Sequence, residues 1–276
     1  MLMYVNWNVD PVFLNLGVIE LRYYSCLFAL GIFIGYNLVA KLYKLENIPQ
    51  EKVYSLFVYA VLGIVIGARL GHCLFYDWDY FSKHPLEIIL PFKFQPGFKF
   101  VGYQGLASHG GTMGVLIALY LYSKKYKLNY LGTIDKVAIV APLTGAFIRF
   151  GNLMNSEIIG KESTAPFAFI FKRIDFIPRH PSQLYEALAY LFIFIVLWIL
   201  FKALRNRVAY GFFTGLAIAL IFLARFFIEF TKEYQVGFED GMFFNMGQLL
   251  SIPFVIIGIG LAIFKWRSSK CSNVRK

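Results

Sequence analysis

Arg149, Asn152, Asn155 and Glu157 stand together in "RFGNLMNSEIIG", residues 149–160, directly behind an apolar stretch long enough to cross a bilayer. Spacing by three places Arg149, Asn152 and Asn155 on one face if the helix runs on through them. Charged and amide side chains are costly at membrane depth, so a chain that keeps them there usually has a use for them. Arg149 has no acid at helical spacing: the residues three and four away are Gly145, Ala146, Asn152 and Leu153. A guanidinium so placed calls for a phosphate, a carboxylate from another helix, or water. A phospholipid headgroup is the commonest anion at that depth, so the chemistry indicated is recognition of a phosphate and stabilisation of charge on it.

Other apolar runs carry polar residues that anchoring does not require. "ARFFIEF" holds Arg225 and Glu229 four apart, a spacing at which the two can pair along one helix. Glu229 then either orients Arg225 or acts on its own account. "GARLGHCLFY" holds Arg69 and His72; Arg69 is expected to snorkel to the interface. "GLASHGGTMG" sets His109 before Gly110 and Gly111, where backbone can approach a ligand closely, although a histidine in a helix bundle is more often a hydrogen-bonded structural residue. Ser108 and His109 are no hydrolase pair, because neighbouring helical residues point about 100 degrees apart. "RHPSQLYEA", 179–187, reads as a helix start, with Pro181 in the approach, Ser182 as cap and Glu186 complementing the positive end of the dipole. Gln183 shares the Glu186 face and has less local reason to be there.

Several chemistries are not expected. There is no H-E-x-x-H, no G-x-S-x-G and no P-loop. His72, His84 and His180 lie in separate segments without metal-ligand spacing, and neither a metal nor a cofactor is called for. Cys26, Cys73 and Cys271 form no C-x-x-C pair and no even framework.

The elements that must hold these residues are membrane helices. The 276 residues are 58% hydrophobic and 19% aromatic but only 16% charged, where a soluble chain carries about a quarter charged residues. Spans of the required length, roughly 20 apolar residues, fall near 19–40, 54–76, 105–123, 134–153, 184–204, 210–231 and 244–264. The fold class is therefore an all-α integral membrane protein, a bundle of about seven transmembrane helices in a single domain. No internal repeat is evident, which weakens an inverted-repeat transporter. The N-terminus lacks the basic and apolar regions of a signal peptide, so the first span is expected to stay in the mature chain. Lys and Arg concentrate in the short segments 41–53, 124–133 and 205–209 and in the C-terminal tail, while the longer segments 77–104, 154–183 and 232–243 and the N-terminus hold fewer. By the positive-inside rule the N-terminus faces out and the C-terminus lies in the cytoplasm. The excess of Lys and Arg, 27 against 16 Asp and Glu, is scattered and forms no stripe, so it suits anionic membrane lipids and not nucleic acid. Segment 154–183, with "FAFIFKRIDF", suggests a small extracytoplasmic cap of strand character.

In their order along the chain, "LRYYSCLFALGI", "GARLGHCLFY", "ASHGG", "RFGNLMNSEIIG", "RHPSQLYEA", "RFFIEF" and "NMGQLLSIP" resemble the prolipoprotein diacylglyceryl transferases over nearly the whole chain. The R-x-G-N-x-x-N-x-E-x-x-G run is the specific part. The resemblance implies a seven-span enzyme of the bacterial cytoplasmic membrane. Such an enzyme moves the diacylglyceryl group of phosphatidylglycerol to the lipobox cysteine thiol at a prolipoprotein signal peptide, releasing glycerol phosphate. Position by position it implies Arg149 and Arg225 as essential arginines and His109 as the family histidine. Tyr24, Asn152, Glu157, Gly160 and Glu229 match further functional positions, and Gly110, Asn155 and Gln183 join them as candidate substrate contacts. The motif usually begins Gly-Arg; here Ile148 precedes Arg149, which implies altered helix packing more than lost activity. A base such as His109 would raise the thiolate fraction of the attacking cysteine, although an arginine-rich site can depress a thiol pKa without one. The alternative from another class is a phospholipid or anion transporter whose arginines bind headgroups without chemistry.

Overall fold

Long apolar runs must close their own backbone hydrogen bonds in lipid, so they become helices. The computed structural model describes residues 4–17, 20–90, 92–94, 97–100, 105–233 and 242–271. Its principal helices are α1 (Tyr23–Leu45), α2 (Glu51–Phe75), α5 (Ser108–Lys125), α6 (Tyr130–Asn155), α7 (Ser182–Leu204), α8 (Phe212–Ile228) and α9 (Met246–Cys271), with the short α3 (Trp78–Phe81) and α4 (Leu86–Ile89) after α2. A 3-10 turn, Glu229–Thr231, continues α8. Among the described residues six helices are long and apolar enough to span a membrane. The seventh expected span corresponds to α5, which opens on Ser-His-Gly-Gly-Thr and closes on Lys-Lys, so its apolar stretch is short. The chain is an all-α, multi-pass membrane protein.

Two compact units divide the chain, Met1–Lys41 with Ile134–Lys276, and Leu42–Thr133. In the second unit α2 and α5 meet through small residues. A Cβ added to Gly67 would lie 2.4 Å from the Gly110 carbonyl oxygen, and one on Gly114 would lie 2.1 Å from that of Gly63. Stripes of small residues let membrane helices approach backbone to backbone. Arg69 does not snorkel here. It is buried, its Nε donating to the Ile88 carbonyl and its Nη2 to that of Glu87, and it stacks over Phe81 at 4.7 Å. Those carbonyls belong to α4 and its end, so the arginine ties the post-α2 segment to α2 where the sequence suggested a water-seeking tip.

In the first unit α8 and α9 pack in the same manner, with Gly215 and Ala219 against Gly258 and Ala262. Asp135 of α6 accepts the backbone N–H groups of Gly211 (2.8 Å) and Thr214 (2.8 Å) and the Thr214 hydroxyl (2.7 Å), which satisfies the start of α8. Strands lie outside the helices. β1 (Val5–Trp7) pairs parallel with β6 (Phe169–Phe171), which pairs antiparallel with β7 (Pro178–Arg179); β2 (Val12–Asn15) pairs with β3 (Glu20–Arg22). In the second unit β4 (Phe92–Lys93) pairs with β5 (Lys99–Phe100). The strand character expected of 154–183 is present, and Trp7 completes that sheet by packing on Phe169 and donating its indole N–H to the Leu153 carbonyl. That last bond ties the sheet to the end of α6, next to the polar motif.

Candidate active site

Helix α6 runs through Asn155, so Arg149, Asn152 and Asn155 do share a face. The chain then turns sharply: Ser156 (φ 56°) and Ile158 (φ 55°) are both left-handed. A β-branched residue in that region is strained by about 1–3 kcal/mol, and such strain concentrates at functional sites. The turn brings the Glu157 carboxylate back over the helix end, where Oε2 accepts from Asn152 Nδ2 and Oε1 from Asn155 Nδ2, each at 3.0 Å. Asn152 Oδ1 in turn accepts from Arg149 Nη1 at 3.2 Å. Gln183 donates to the Glu157 carbonyl, and its own Oε1 is buried with no partner among the described residues. The motif is one hydrogen-bonded unit.

Arg149 finds its acid on another helix, one of the three partners its place in the sequence allowed. Its Nε lies 2.8 Å from Oε2 of Glu186, a side chain 0% exposed on the adjacent α7. Glu186 is therefore no dipole partner at a helix start, and Ser182 is no cap: its hydroxyl bonds Thr231, in the 3-10 turn. Glu186 Oε1 also meets Lys232 Nζ at 3.0 Å, and Lys232 Nζ meets Glu229 Oε2 at 3.0 Å. Arg225 Nε is 4.0 Å from the same Glu229 oxygen. The five groups form an alternating ladder, Arg149–Glu186–Lys232–Glu229–Arg225, with three cations against two carboxylates. Its interior is buried and its two ends open outward: the Arg149 side chain is 19% exposed and that of Arg225 39%. Tyr190, one turn beyond Glu186, interacts electrostatically with Glu186, Arg149 and Arg225.

Glycines make room for this arrangement. A Cβ on Gly247 would lie 2.5 Å from the Glu229 carboxyl carbon, and one on Gly160 2.4 Å from the His180 carbonyl oxygen. Gly160 bridges to Lys232, and its carbonyl accepts from Arg179, which also holds Asp175 at 2.6 Å and Glu233 at 3.0 Å. The Arg179 guanidinium keeps the Asp175 carboxyl below the usual carboxylate range. Tyr24, at the start of α1, lies flush on Gly151 in the middle of the motif.

So α1, α6, α7, α8 and the 3-10 turn gather Tyr24, Arg149, Asn152, Asn155, Glu157, Gly160, Gln183, Arg225 and Glu229 within the first unit. His109 and Gly110 belong to the second unit. His109 is exposed in the first turn of α5. Both residues border a groove of about 1090 Å³ along α2 and α5, lined otherwise by apolar side chains such as Leu70, Met113 and Ile117. The close approach that Gly110 makes is to the Gly67 carbonyl of α2.

The family model described as prolipoprotein diacylglyceryl transferase matches residues 11–264. The chain belongs to that family. A phosphatidylglycerol–prolipoprotein diacylglyceryl transferase of Bacteroides fragilis is 53% identical over 266 residues, 96% of each chain. Proteins of the same name from Tolumonas auensis and Chloroherpeton thalassium are 43% and 41% identical, covering 93% and 95% of this chain and 96% and 94% of theirs. Local spacing assigns Glu186 only a helix-start role and does not single out Lys232, and these two residues join the ends of the ladder. The signals were there: a lone acid in "LYEALAYLFIF", and a lysine three residues beyond Glu229.

Proposed function

We propose that this member of the family transfers the diacylglyceryl group of phosphatidylglycerol to the lipobox cysteine of prolipoprotein signal peptides. The thiolate sulfur forms a bond to the terminal glyceryl carbon, the carbon–oxygen bond to phosphate breaks, and glycerol phosphate leaves with the electron pair. Negative charge gathers on that phosphate, and fixed guanidinium groups stabilise it most where water is scarce. The observation that carries the reading is the pair of partly exposed arginines at the two ends of a buried ladder. Arg225, whose buried Nε has no hydrogen-bond partner among the described residues, is the less committed of the two. Arg149, already held by Glu186 and Asn152, offers a guanidinium of set orientation. Tyr24, Asn152, Asn155, Glu157, Gly160, Gln183 and Glu229 shape the substrate contacts around them, and Gly110 belongs with His109 in the second unit.

His109 takes the thiol proton. A free thiol with pKa about 8.5 is mostly protonated at neutral pH, and a neutral imidazole is a fitting acceptor. The apolar groove beside it suits an acyl chain. The enzyme lies in the bacterial inner membrane, N-terminus outside and C-terminus cytoplasmic, as the distribution of Lys and Arg indicates. Incubating the protein with phosphatidylglycerol vesicles and a lipobox peptide tests the reading. A thioether-linked peptide heavier by one diacylglyceryl group, with glycerol phosphate in equal amount, is expected. Lipid movement without covalent product would instead establish the transporter, which the family does not favour.

A further inference from the structure

Lys232 has no place in the scheme above and Glu186 only holds Arg149, yet they are the most buried charges of the ladder, at 3% and 0% exposure. Burying a lone carboxylate or ammonium is costly unless it is paired on every side. Here each has two partners: Glu186 has Arg149 and Lys232, and Lys232 has Glu186 and Glu229, with every N···O distance 3.0 Å or less. Lys232 is held from a second direction too. Its backbone forms an isolated bridge with Gly160, the last residue of the polar motif. Among the described residues, Arg225 in contrast touches the ladder through a 4.0 Å contact to Glu229. The side chain that links the Arg149 end to the Arg225 end is therefore Lys232, working through the two glutamates.

We infer that Lys232 and Glu186 are positioning residues for the transfer, a buried brace that fixes Arg149 and, through Glu229, Arg225 as one two-armed receptor for the departing phosphate. Neither touches substrate. The brace stops the two like-charged arginines from drifting apart before the phosphate arrives, and it leaves their outer donors for the lipid. This rests on the transferase reading, and the tests below separate the two.

Three substitutions in the full chain, reconstituted in phosphatidylglycerol vesicles, carry the test. Lys232→Met removes the brace, Lys232→Arg keeps its charge and donors, and Glu186→Gln keeps the shape while removing one charge. Misplacement of catalytic groups by an ångström costs on the order of a hundredfold in rate. Lys232→Met and Glu186→Gln are expected to lower kcat at least tenfold with KM for the lipid little changed, and Lys232→Arg to recover most of the rate. The second readout needs no turnover. With ¹⁵Nε-labelled arginine, the Arg149 Nε–H signal, identified by its absence in Arg149→Lys, is expected to exchange slowly in the unaltered protein. It is expected to exchange fast in Lys232→Met and Glu186→Gln, and slowly in Lys232→Arg. Should the unaltered protein form no thioether while this signal still follows the substitutions, the transferase reading fails and the brace stands. Unchanged kcat and unchanged exchange in Glu186→Gln would overturn the brace. So would Lys232→Arg that restores slow exchange without restoring rate, since the lysine would then act on substrate directly.

Discussion

Arg149 shows how much a single side chain's role depends on its partners. Its guanidinium is already engaged at Nε and Nη1, so a phosphate bound there would meet a fork whose plane is set by Glu186 and Asn152. A lysine keeps the charge but spans neither geometry. Arg149→Lys is expected to slow thioether formation on the order of a hundredfold, the effect of losing about 3 kcal/mol of stabilisation at a developing anion; near-normal turnover by a folded variant would argue against Arg149 as phosphate ligand. Arg225 needs a different test, because its pairing with Glu229 offers a structural explanation. Replacing both by Met removes one positive and one negative charge and leaves Arg149, Glu186 and Lys232. Arg225 is partly exposed and Lys232 keeps Glu186 as its partner, so the double variant is expected to insert and fold yet yield no product in the peptide assay. Activity in that variant would remove Arg225 from the catalytic residues.

At the scale of elements, two devices are open to measurement. The α2–α5 contact is backbone against backbone, with Gly63, Gly67 and Gly71 facing Gly110 and Gly114. A leucine at Gly114 has nowhere to go and must push the helices apart. Overpacking of this kind costs roughly 1–3 kcal/mol, so Gly114→Leu is expected to lower the thermal midpoint in detergent, and an unchanged midpoint would contradict the packing. The β6–β7 turn is pinned by Asp175 against Arg179. Hydrogen bonding to that guanidinium depresses the Asp175 pKa in the folded state. The stabilisation is therefore complete above the ordinary carboxylate value, near 3.9, and is lost as pH falls through the lower folded value. Asp175→Asn should speed amide exchange across residues 169–179 at neutral pH, with no comparable change elsewhere in the first unit.

For the whole molecule the open matter is orientation. Single cysteines placed in 124–133 are expected to resist a membrane-impermeant thiol reagent applied from outside, while those in 154–183 react. The opposite pattern would invert the topology and put the β1–β6–β7 sheet in the cytoplasm. The Lys and Arg distribution that argues for the first outcome acts during insertion.

Length and apolarity of the runs determined the helices, because a backbone in lipid has no other way to satisfy its hydrogen bonds. Helical period likewise determined that Arg149, Asn152 and Asn155 share a face, and local order along the chain carried the family motifs. Those are properties of neighbours in sequence. What Arg149 touches was decided by tertiary structure: Glu186 comes from another helix, and Lys232 from the turn beyond a third. Read locally, Glu186 was a helix-start acid and Arg69 an interfacial arginine; both prove buried, since the elements packed on them supply partners that no spacing rule contains. The brace depends on three helices meeting, and only packing determines which charges then lie within 3 Å of one another.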